Sequence, residues 1–392
     1  MHVMTDTTSA KSFDIIDSSG SALQSQHLWT PNSKKKWQFD IDLVGSCNLT
    51  CPSCPVGNLS ESRTQEKYMR PELLDRIIRK GKSECRLTEV NLYNWTEPFL
   101  HPNLPEMIRI VRSHKVRCGL STNLNLIRNI DGVMEANPDL FKVSLSGFTQ
   151  ETYGKTHRGG DIEIVKRNMA EVALAKRRAG GTTALVVAYH RYLGNHEDEN
   201  AMKVYAESLG YEMEPAWAFF MPLEKMLAFV GSDLIDVELY EEDQRIIDSL
   251  ALPLGDAVEA AKNSQQQRCD LRERRMAISA NGVVTLCCAS FDQSKFKLGS
   301  YIDTPINELQ EMKYRHNMCN ACMHNGLHVL FTYNSEEFDD LALRNVIRHY
   351  PDCKLKRVKL LKKQRPRGIR ALPFKLKREF QRIIVQLSNW SR

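Results

Sequence analysis

Short apolar runs alternate with longer amphipathic stretches between residues 37 and 217 of the chain. The apolar runs predict six strands, over residues 39–43, 89–93, 117–121, 142–145, 184–189 and 213–218. Helical spacing of apolar residues between them predicts helices over residues 71–81, 104–114, 161–179 and 200–209. Strands that alternate with helices imply a parallel sheet, so the predicted fold class is α/β, with the sheet either open or curled into a partial barrel.

Changes in patterning along the chain predict five segments. Residues 1–36 are rich in Ser and Thr and weakly patterned, which predicts a loose leader. Residues 37–220 carry the strand and helix pattern, and residues 221–265 are typical of a helical linker. Residues 266–335 contain a second group of cysteines, and residues 336–392 contain a helical segment and a basic tail.

Composition and cysteine usage narrow the functional classes. The sequence has no apolar run near twenty residues and no basic-then-apolar signal pattern, so we expect a cytoplasmic protein without a membrane span. Eleven cysteines in such a chain favour metal binding over a disulfide framework.

Three of these cysteines lie in eight residues directly after the first predicted strand. Cys47, Cys51 and Cys54 have the spacing C-x3-C-x2-C. A closed zinc site needs four ligands, and the next candidates along the chain, Cys85 and His101, are distant in sequence. An open metal site is therefore the leading interpretation, and a zinc knuckle or three reduced thiols are the alternatives.

The cysteine loop and the residues after the next strands resemble the radical S-adenosylmethionine (SAM) enzymes. That resemblance implies a partial (β/α)6 barrel in which Cys47, Cys51 and Cys54 ligate a 4Fe-4S cluster that binds SAM. Residues 94–98, NWTEP, resemble the Gly-Glu-Pro segment, so Glu97 is implied to hold the SAM amino group, with Thr96 at the usual Gly.

Three further motifs extend the same resemblance along the chain. Residues 121–123 are similar to a ribose-contacting Ser-Thr-Asn, which implicates Ser121 and Asn123. Residues 144–147 are similar to Ser-x-Asp-Gly, which implicates Ser144 and leaves Ser146 in place of the Asp. In residues 153–160, YGKTHRGG, Arg158 is the implied partner of the SAM carboxylate.

The second cysteine group follows a predicted hairpin. Asn281-Gly282 between β-rich runs predicts a tight turn, with positive φ at both residues. The arrangement of Cys269, Gly282 and Cys287 resembles the opening of the SPASM domain, and the shortened form called twitch fits this chain. That resemblance implies a small C-terminal auxiliary-cluster domain that holds a second 4Fe-4S cluster. Its implied ligands are Cys269, Cys287, Cys319 and Cys322.

Several alternatives remain open at this second site. Four thiolates also suit zinc, because spacing does not separate zinc from an iron–sulfur cluster. Cys288 could replace Cys287, and His324 or His328 could serve if one ligand were lost.

The C-terminal segment has a charge unlike the rest of the chain. Residues 354–392 carry 14 Lys and Arg against one acid, a net charge of +13, whereas the whole chain carries +6. Apolar residues at helical spacing from Leu376 to Leu387 predict a basic amphipathic helical tail. It could contact an anionic membrane surface or dock on the acidic remainder of the chain; nucleic acid is the weakest of the three interpretations.

The resemblance implies reductive cleavage of SAM to a 5′-deoxyadenosyl radical that abstracts hydrogen from a substrate C–H bond, with a flavodoxin or ferredoxin-type electron donor as partner. We expect a sugar or glycan-related substrate, with peptide modification as the alternative and a non-enzymatic iron–sulfur or zinc protein as the remoter one. Five residues, three at the end of the fifth strand and two on the sixth, are candidates either for a substrate pocket or for barrel filling. They are Tyr189, His190, Arg191, Glu214 and Trp217.

Overall fold

The computed structural model describes residues 35–58, 68–264, 268–332 and 336–357. Within them, one nine-stranded sheet has the strand order β6-β5-β4-β3-β2-β1-β7-β8-β9. The strands are β1 (Lys36–Ile41), β2 (Arg86–Asn91), β3 (Arg117–Thr122), β4 (Leu140–Leu145), β5 (Ala184–Arg191), β6 (Glu212–Trp217), β7 (Arg275–Ile278), β8 (Val283–Thr285) and β9 (Lys297–Ser300).

The helices follow the strands along the chain. They are α1 (Pro55–Asn58), α2 (Pro71–Glu84), α3 (Leu104–Ser113), α4 (Ile130–Glu135), α5 (Gln150–Thr156), α6 (Ile162–Ala179), α7 (His196–Ser208), α8 (Leu223–Phe229), α9 (Glu241–Ser249), α10 (Leu254–Ala261), α11 (Asp270–Arg274), α12 (Gln293–Phe296), α13 (Ile306–Arg315), α14 (Asn317–His324), α15 (His328–Thr332) and α16 (Glu336–His349). Two short 3₁₀ turns cover Pro98–Leu100 and Lys262–Ser264.

The first six strands are parallel to their neighbours, and helices separate them along the chain. This arrangement confirms the predicted α/β fold class. Each predicted strand overlaps an observed one, because short apolar runs between amphipathic helices are a strong signal for buried parallel strands. In the described part of the chain β6 and β9 end the sheet without pairing to each other, so the sheet is open.

Helices α4 and α5 in this region were not predicted, and neither was the four-residue helix α1. Helices α4 and α5 have six and seven residues, and each contains a glycine. Capping supports both: the Asn129 side chain accepts from the N–H of Gly132, and the Thr149 side chain accepts from the N–H of Thr152. Helices this short do not show enough of the 3.6-residue period to be recognised from sequence.

The two faces of the sheet differ in chemistry. On β4, Phe141, Val143 and Leu145 are fully buried on the helix-covered face, while Lys142 and Ser144 alternate with them on the other face. We call that other face the inner face. Strand register also puts on it Asp40, Ser121, His190, Glu214 and Arg275. The inner face is therefore polar and charged, as a binding surface for a polar molecule would be.

The predicted hairpin is present, and it extends the same sheet. Strand β7 pairs in parallel with β1, and β8 then pairs antiparallel with β7 and β9. The turn differs from the prediction, because Gly282 has a φ of +76° whereas Asn281 is not among the described residues with positive φ. Gly282 donates its N–H to Ser279 O at 2.8 Å, so the loop is one residue longer than a two-residue turn.

Two predicted segments lie largely outside the described residues. They are the leader, of which residues 1–34 are not described, and the basic tail, of which residues 358–392 are not described. Across the residues that are described, no helix combines the length and apolar character needed to span a membrane.

Candidate functional site

The loop after β1 holds Cys47, Cys51 and Cys54 close enough together for the charge of one thiolate to shift the pKa of another. All three are half-buried, and the N–H of Cys54 donates to Cys51 O at 3.0 Å. Burial raises the pKa of the Cys47 thiol to about 12, with Glu97 and Cys54 acting in the same direction. Burial, then the charges of Cys54 and Cys47, raise the pKa of Cys51. The three predicted ligands are thus close enough to influence one another.

Glu97 lies under this loop, and its side chain is fully engaged by neighbouring residues. One carboxylate oxygen accepts from the N–H of Phe99 at 3.0 Å and from Thr122 Oγ1 at 2.8 Å. The other accepts from the N–H of Asn123 at 2.9 Å. The residue is 2% exposed, and burial raises its pKa to about 7, against the opposing effect of these hydrogen bonds. Glu97 therefore joins the loop after β2 to the loop after β3.

Asn123 connects Glu97 to the cysteine loop. Its amide nitrogen lies 3.7 Å from Cys47 Sγ and donates to Asn48 Oδ1 at 2.9 Å. The structure thus brings together Glu97, Asn123 and the first cysteine. Ser121 pairs with Lys142 in the β3–β4 register, and Ser144 pairs with Ala188. Both serines are accordingly on the inner face, at the carboxyl ends of their strands.

Arg158 approaches the cysteine loop from the turn before α6. Its Nε donates to Thr50 O at 2.9 Å, and its Nη1 forms an ion pair with Glu242 Oε1 at 2.7 Å. Its positive charge favours the thiolate of Cys51. Arg158 is therefore beside the cysteine loop, and its observed partners are protein groups.

Sequence reasoning missed Asp42, which organises the loop that contains Glu97. This buried side chain accepts hydrogen bonds from the N–H groups of Asn94, Trp95 and Thr96, each at 3.0 Å, and from Thr96 Oγ1 at 2.7 Å. Burial raises the pKa of Asp42, and the four hydrogen bonds oppose the shift. Thr96, at the usual Gly, thus supplies a hydrogen bond that Gly could not. In the sequence, the only signal for Asp42 is its position directly after β1, just before the cysteine motif.

A second missed residue is Tyr153, at the start of the YGKTHRGG segment. Its hydroxyl accepts from Asn125 Nδ2 at 2.7 Å, and its ring stacks on His157 with centroids 4.5 Å apart. Ser146, at the usual Asp, contacts Thr156 Oγ1 and His157 Nδ1, the latter at 3.2 Å. These residues hold the β4–α5 connection, so Ser146 has a structural role in this chain.

The second cysteine group surrounds a single cavity. Its lining includes Cys269, Cys287, Cys319 and Cys322, together with Arg272, His328 and apolar side chains. Cys288 packs beside Cys269 but does not line the cavity, and its thiol is affected by the charges of Asp40 and Arg275 as well as those of Cys287 and Cys269. The geometry therefore puts Cys287 on the cavity. Among the described residues, no set of three or more His, Cys, Asp or Glu side chains is arranged to hold a metal ion.

Lys313 is a buried cation beside this cavity that the sequence did not reveal. Its side chain is fully buried, and Nζ donates to Arg275 O at 2.6 Å. Burial lowers its pKa, and the charges of the neighbouring thiolates raise it. Nothing in the α13 sequence distinguishes this lysine from a solvated one.

Trp95 connects the two cysteine sites. Its carbonyl oxygen is 4.0 Å from Cys54 Sγ, and its indole N–H donates to Ser290 O at 3.1 Å. Ser290 in turn bonds to the backbone of Cys287 through its hydroxyl, at 2.9 and 3.3 Å. A short chain of contacts therefore runs from the first cysteine loop to the turn that carries Cys287.

The five substrate-pocket candidates divide into two groups. Tyr189 is fully buried and donates to Asn195 O, and Trp217 Nε1 donates to Asp339 Oδ1, so both fill the fold. Arg191 is 2% exposed and binds both oxygens of Glu199 at 2.7 Å. His190 and Glu214 are on the inner face, where Lys142 Nζ is 3.7 Å from a Glu214 oxygen. His190 and Glu214 are therefore placed to meet a ligand, whereas Tyr189, Trp217 and Arg191 are engaged within the fold.

Comparison with known proteins gives a family match over much of the parallel part of the sheet. Residues 41–198 match the model described as Radical SAM superfamily. A curated relative from Methanococcus maripaludis, named Probable GTP 3′,8-cyclase, is 26% identical over 204 residues, which are 51% of this chain and 64% of the relative. One from Pyrococcus abyssi with the same name is 31% identical over 130 residues, 32% of this chain and 40% of the relative. The matches thus span less than two thirds of these relatives.

A solved structure shares the fold. The histidine-tagged anSMEcpe with bound AdoMet has a TM-score of 0.50 and 15% identity, and the match covers 80% of this chain and 95% of that one. Residues 41–198 therefore form a radical SAM domain. The match over residues 41–198 and the curated relatives, which are named as enzymes, favour a radical SAM enzyme over the non-enzymatic alternative. The SPASM or twitch assignment and the individual ligands remain predictions.

Proposed function

We propose that Cys47, Cys51 and Cys54 ligate the 4Fe-4S cluster of this radical SAM domain. The supporting observation is that three thiols from one eight-residue loop share an electrostatic neighbourhood at the carboxyl end of β1. Three thiolates suit a cluster that keeps one iron open for another ligand. When bound, the cluster and SAM supply a 5′-deoxyadenosyl radical that abstracts hydrogen from a substrate C–H bond.

The protein's contribution is to hold the loop and to position SAM. Asp42 fixes residues 94–96, and Glu97 fixes Asn123 against Cys47. We propose that Asn123, Ser121 and Ser144 face the nucleoside of SAM and that Glu97 and Arg158 act near its amino and carboxylate groups. For Glu97 the three internal hydrogen bonds favour orientation of the loop as its main role.

We further propose that Cys269, Cys287, Cys319 and Cys322 hold an auxiliary 4Fe-4S cluster in a SPASM or twitch-type arrangement. Support comes from the cavity that all four thiols line and from the buried cation Lys313 beside them, which offsets thiolate charge. Zinc suits the same donor set. Metal analysis of the purified protein distinguishes an iron–sulfur cluster from zinc at this site.

The substrate class is inferred from the inner face. Lys142, His190 and Glu214 lie there with Asp40 and Arg275, whose closest charged atoms are 3.4 Å apart. Such a surface suits a polar substrate with hydroxyl or charged groups, because buried polar groups need partners. We propose a sugar or glycan-related substrate, with a peptide as the alternative; the name of the curated relatives adds a nucleotide as a third candidate.

The first test uses anaerobically reconstituted, dithionite-reduced protein. Iron and sulfide per chain and release of 5′-deoxyadenosine from SAM are measured for the wild type, Cys51→Ala and Cys85→Ala. We expect about eight irons in the wild type and about four in Cys51→Ala, with SAM cleavage lost only in the latter. Cys85, whose thiol donates to Gly81 O at 3.1 Å, is the matched control. SAM cleavage that survives in Cys51→Ala would refute the ligand assignment.

The substrate proposal is tested by SAM consumption in the presence of glycan, peptide and nucleotide substrate sets. Lys142→Met should keep the iron content and the slow substrate-free cleavage of SAM, since Lys142 lies on β4 and not in the cysteine loop. It should weaken turnover of whichever polar substrate is accepted. Unchanged turnover in Lys142→Met would exclude the inner face as the binding surface.

A further inference from the structure

His328 is a buried residue whose two ring nitrogens lack hydrogen-bond partners among the described residues. Its side chain is 2% exposed and lines the cavity that Cys269, Cys287, Cys319 and Cys322 share. Within the described residues, neither ring nitrogen makes a hydrogen bond of acceptable distance and angle, although the Cys322 carbonyl is near enough to favour the charged ring. Buried polar groups without partners are rare and point to a bound group or a redox role.

Arg272 gives an independent observation at the same cavity. Its Nε is buried and has no partner in the described part of the chain. The rest of the guanidinium is engaged, since it contacts the Cys319 side chain and stacks over the Tyr314 ring at 4.2 Å. Two different side chains thus present unused N–H capacity to a cavity lined by four thiols.

Local structure fixes His328 in this position. Gly326 has a φ of +70° and closes the turn between α14 and α15, where the N–H of Leu327 donates to Cys322 O at 3.0 Å. The turn therefore ties the start of α15 to the helix that carries Cys319 and Cys322. His324, the other histidine that the sequence offered as a ligand here, is exposed.

The missing partner is best matched by sulfur of a bound cluster. Inorganic sulfide and thiolate sulfur accept hydrogen bonds, and such bonds stabilise the more negative, reduced state of an iron–sulfur cluster. An imidazole ring carries at least one N–H to give in either of its protonation states. Arg272 gives a second N–H together with a positive charge.

We propose that His328 and Arg272 donate N–H···S hydrogen bonds to the auxiliary cluster and thereby raise its reduction potential. The inference rests on the auxiliary cluster proposed above. It assigns His328 a positioning and tuning role, distinct from ligation, because the four thiols already complete the ligand set. An auxiliary cluster with a raised potential is better suited to accept an electron from a substrate radical.

The test measures the auxiliary cluster alone, in full-length Cys51→Ala protein, by EPR-monitored redox titration. His328→Phe keeps the ring volume without a donor, and His328→Gln keeps an N–H. We expect a more negative midpoint potential in His328→Phe, a smaller shift in His328→Gln and no shift in the exposed control His324→Phe. Electron–nuclear double resonance should detect exchangeable protons coupled to the cluster, and one of these couplings should be lost in His328→Phe and kept in His324→Phe.

The outcomes separate this inference from the proposed function. Iron present in the Cys51→Ala protein, with the potential and proton coupling unchanged in His328→Phe, would overturn the hydrogen-bond role and leave the auxiliary cluster standing. Zinc in place of iron in Cys51→Ala would instead overturn the auxiliary cluster, and the inference with it. Loss of iron in both His328 variants, with wild-type thermal stability, would show ligation and also overturn it.

Discussion

The backbone N–H of Asn123 donates to Glu97 Oε2 at 2.9 Å, while the Asn123 amide nitrogen lies 3.7 Å from Cys47 Sγ. Asn123 thus links the buried carboxylate of Glu97 to the first cysteine of the loop. Glu97 is itself held by Phe99 and Thr122, so three loop segments meet at this carboxylate. The cysteine loop is accordingly positioned by its neighbours and not only by its own backbone.

Glu97→Gln should weaken this junction. The amide keeps one acceptor oxygen, but its NH₂ would face a donor and leave it unsatisfied. We expect unfolding free energy to fall by about 1–3 kcal/mol and iron to be lost faster on dilution. Urea unfolding and iron release measure the two effects. The matched control is Glu89→Gln, since Glu89 is partly exposed and lies 4.0 Å from Arg117, an interaction worth about 0–1 kcal/mol. Equal losses in both variants would refute the junction.

Gly326→Ala tests how closely the second cysteine group depends on its supporting turn. A Cβ at Gly326 would lie 1.9 Å from Ala261 O, in addition to a φ of +70°. We expect a loss of roughly 3 kcal/mol and about four fewer irons per chain. In the control, Gly180→Ala, φ is +62° but nothing lies within 4 Å of the added Cβ. That variant should lose only about 1 kcal/mol and keep its iron. A full iron content in Gly326→Ala would contradict the prediction.

Arg191 stabilises the fold and does not reach the inner face. It binds Glu199 through two nitrogens, donates to Lys356 O at 2.8 Å and stacks over Trp217. Arg191→Met would leave the Glu199 charge buried without its partner, at a cost of about 3–5 kcal/mol. Arg178→Met removes a pair with Asp131 that is about half exposed and should cost about 0–1 kcal/mol. Thermal unfolding compares the variants, and similar melting temperatures would show that the buried pair contributes little.

The strand and helix pattern predicted the parallel α/β sheet because its information is local. All six parallel strands overlap their predictions. Cys47, Glu97 and Asn123, found in strand-end loops, meet in space, and Arg158 joins them from the turn between α5 and α6. Carboxyl ends of parallel strands lie at the same edge of a sheet, so sequence order alone brings those loops together.

Long-range contacts were not predictable from the same pattern. Pairing of β7 with β1 joins residues more than 230 positions apart, and no local signal specifies that register. Asp42, Trp95 and Lys313 are ordinary residues in the sequence, and their roles depend on which backbone groups the fold brings to them. Arg191 shows the converse error. A charged residue at a strand end predicts a substrate contact, but in the fold Arg191 is buried and paired with Glu199.

His157 makes the stability of the chain depend on pH. Burial and the His190 charge lower its pKa to about 3 in the folded protein, where it contacts Ser146 and Thr156 and stacks on Tyr153. An unfolded histidine titrates near pH 6.5, so between these values the unfolded chain binds one more proton. Stability should therefore fall as the pH decreases, by about 2 kcal/mol between about pH 7 and about pH 5. His157→Gln should be less stable at neutral pH, because it loses the stacked ring, but its dependence on pH should be flatter by that amount. Urea unfolding of the iron-free chain at both pH values measures the difference, and parallel pH profiles for the two proteins would show that His157 is protonated in the fold.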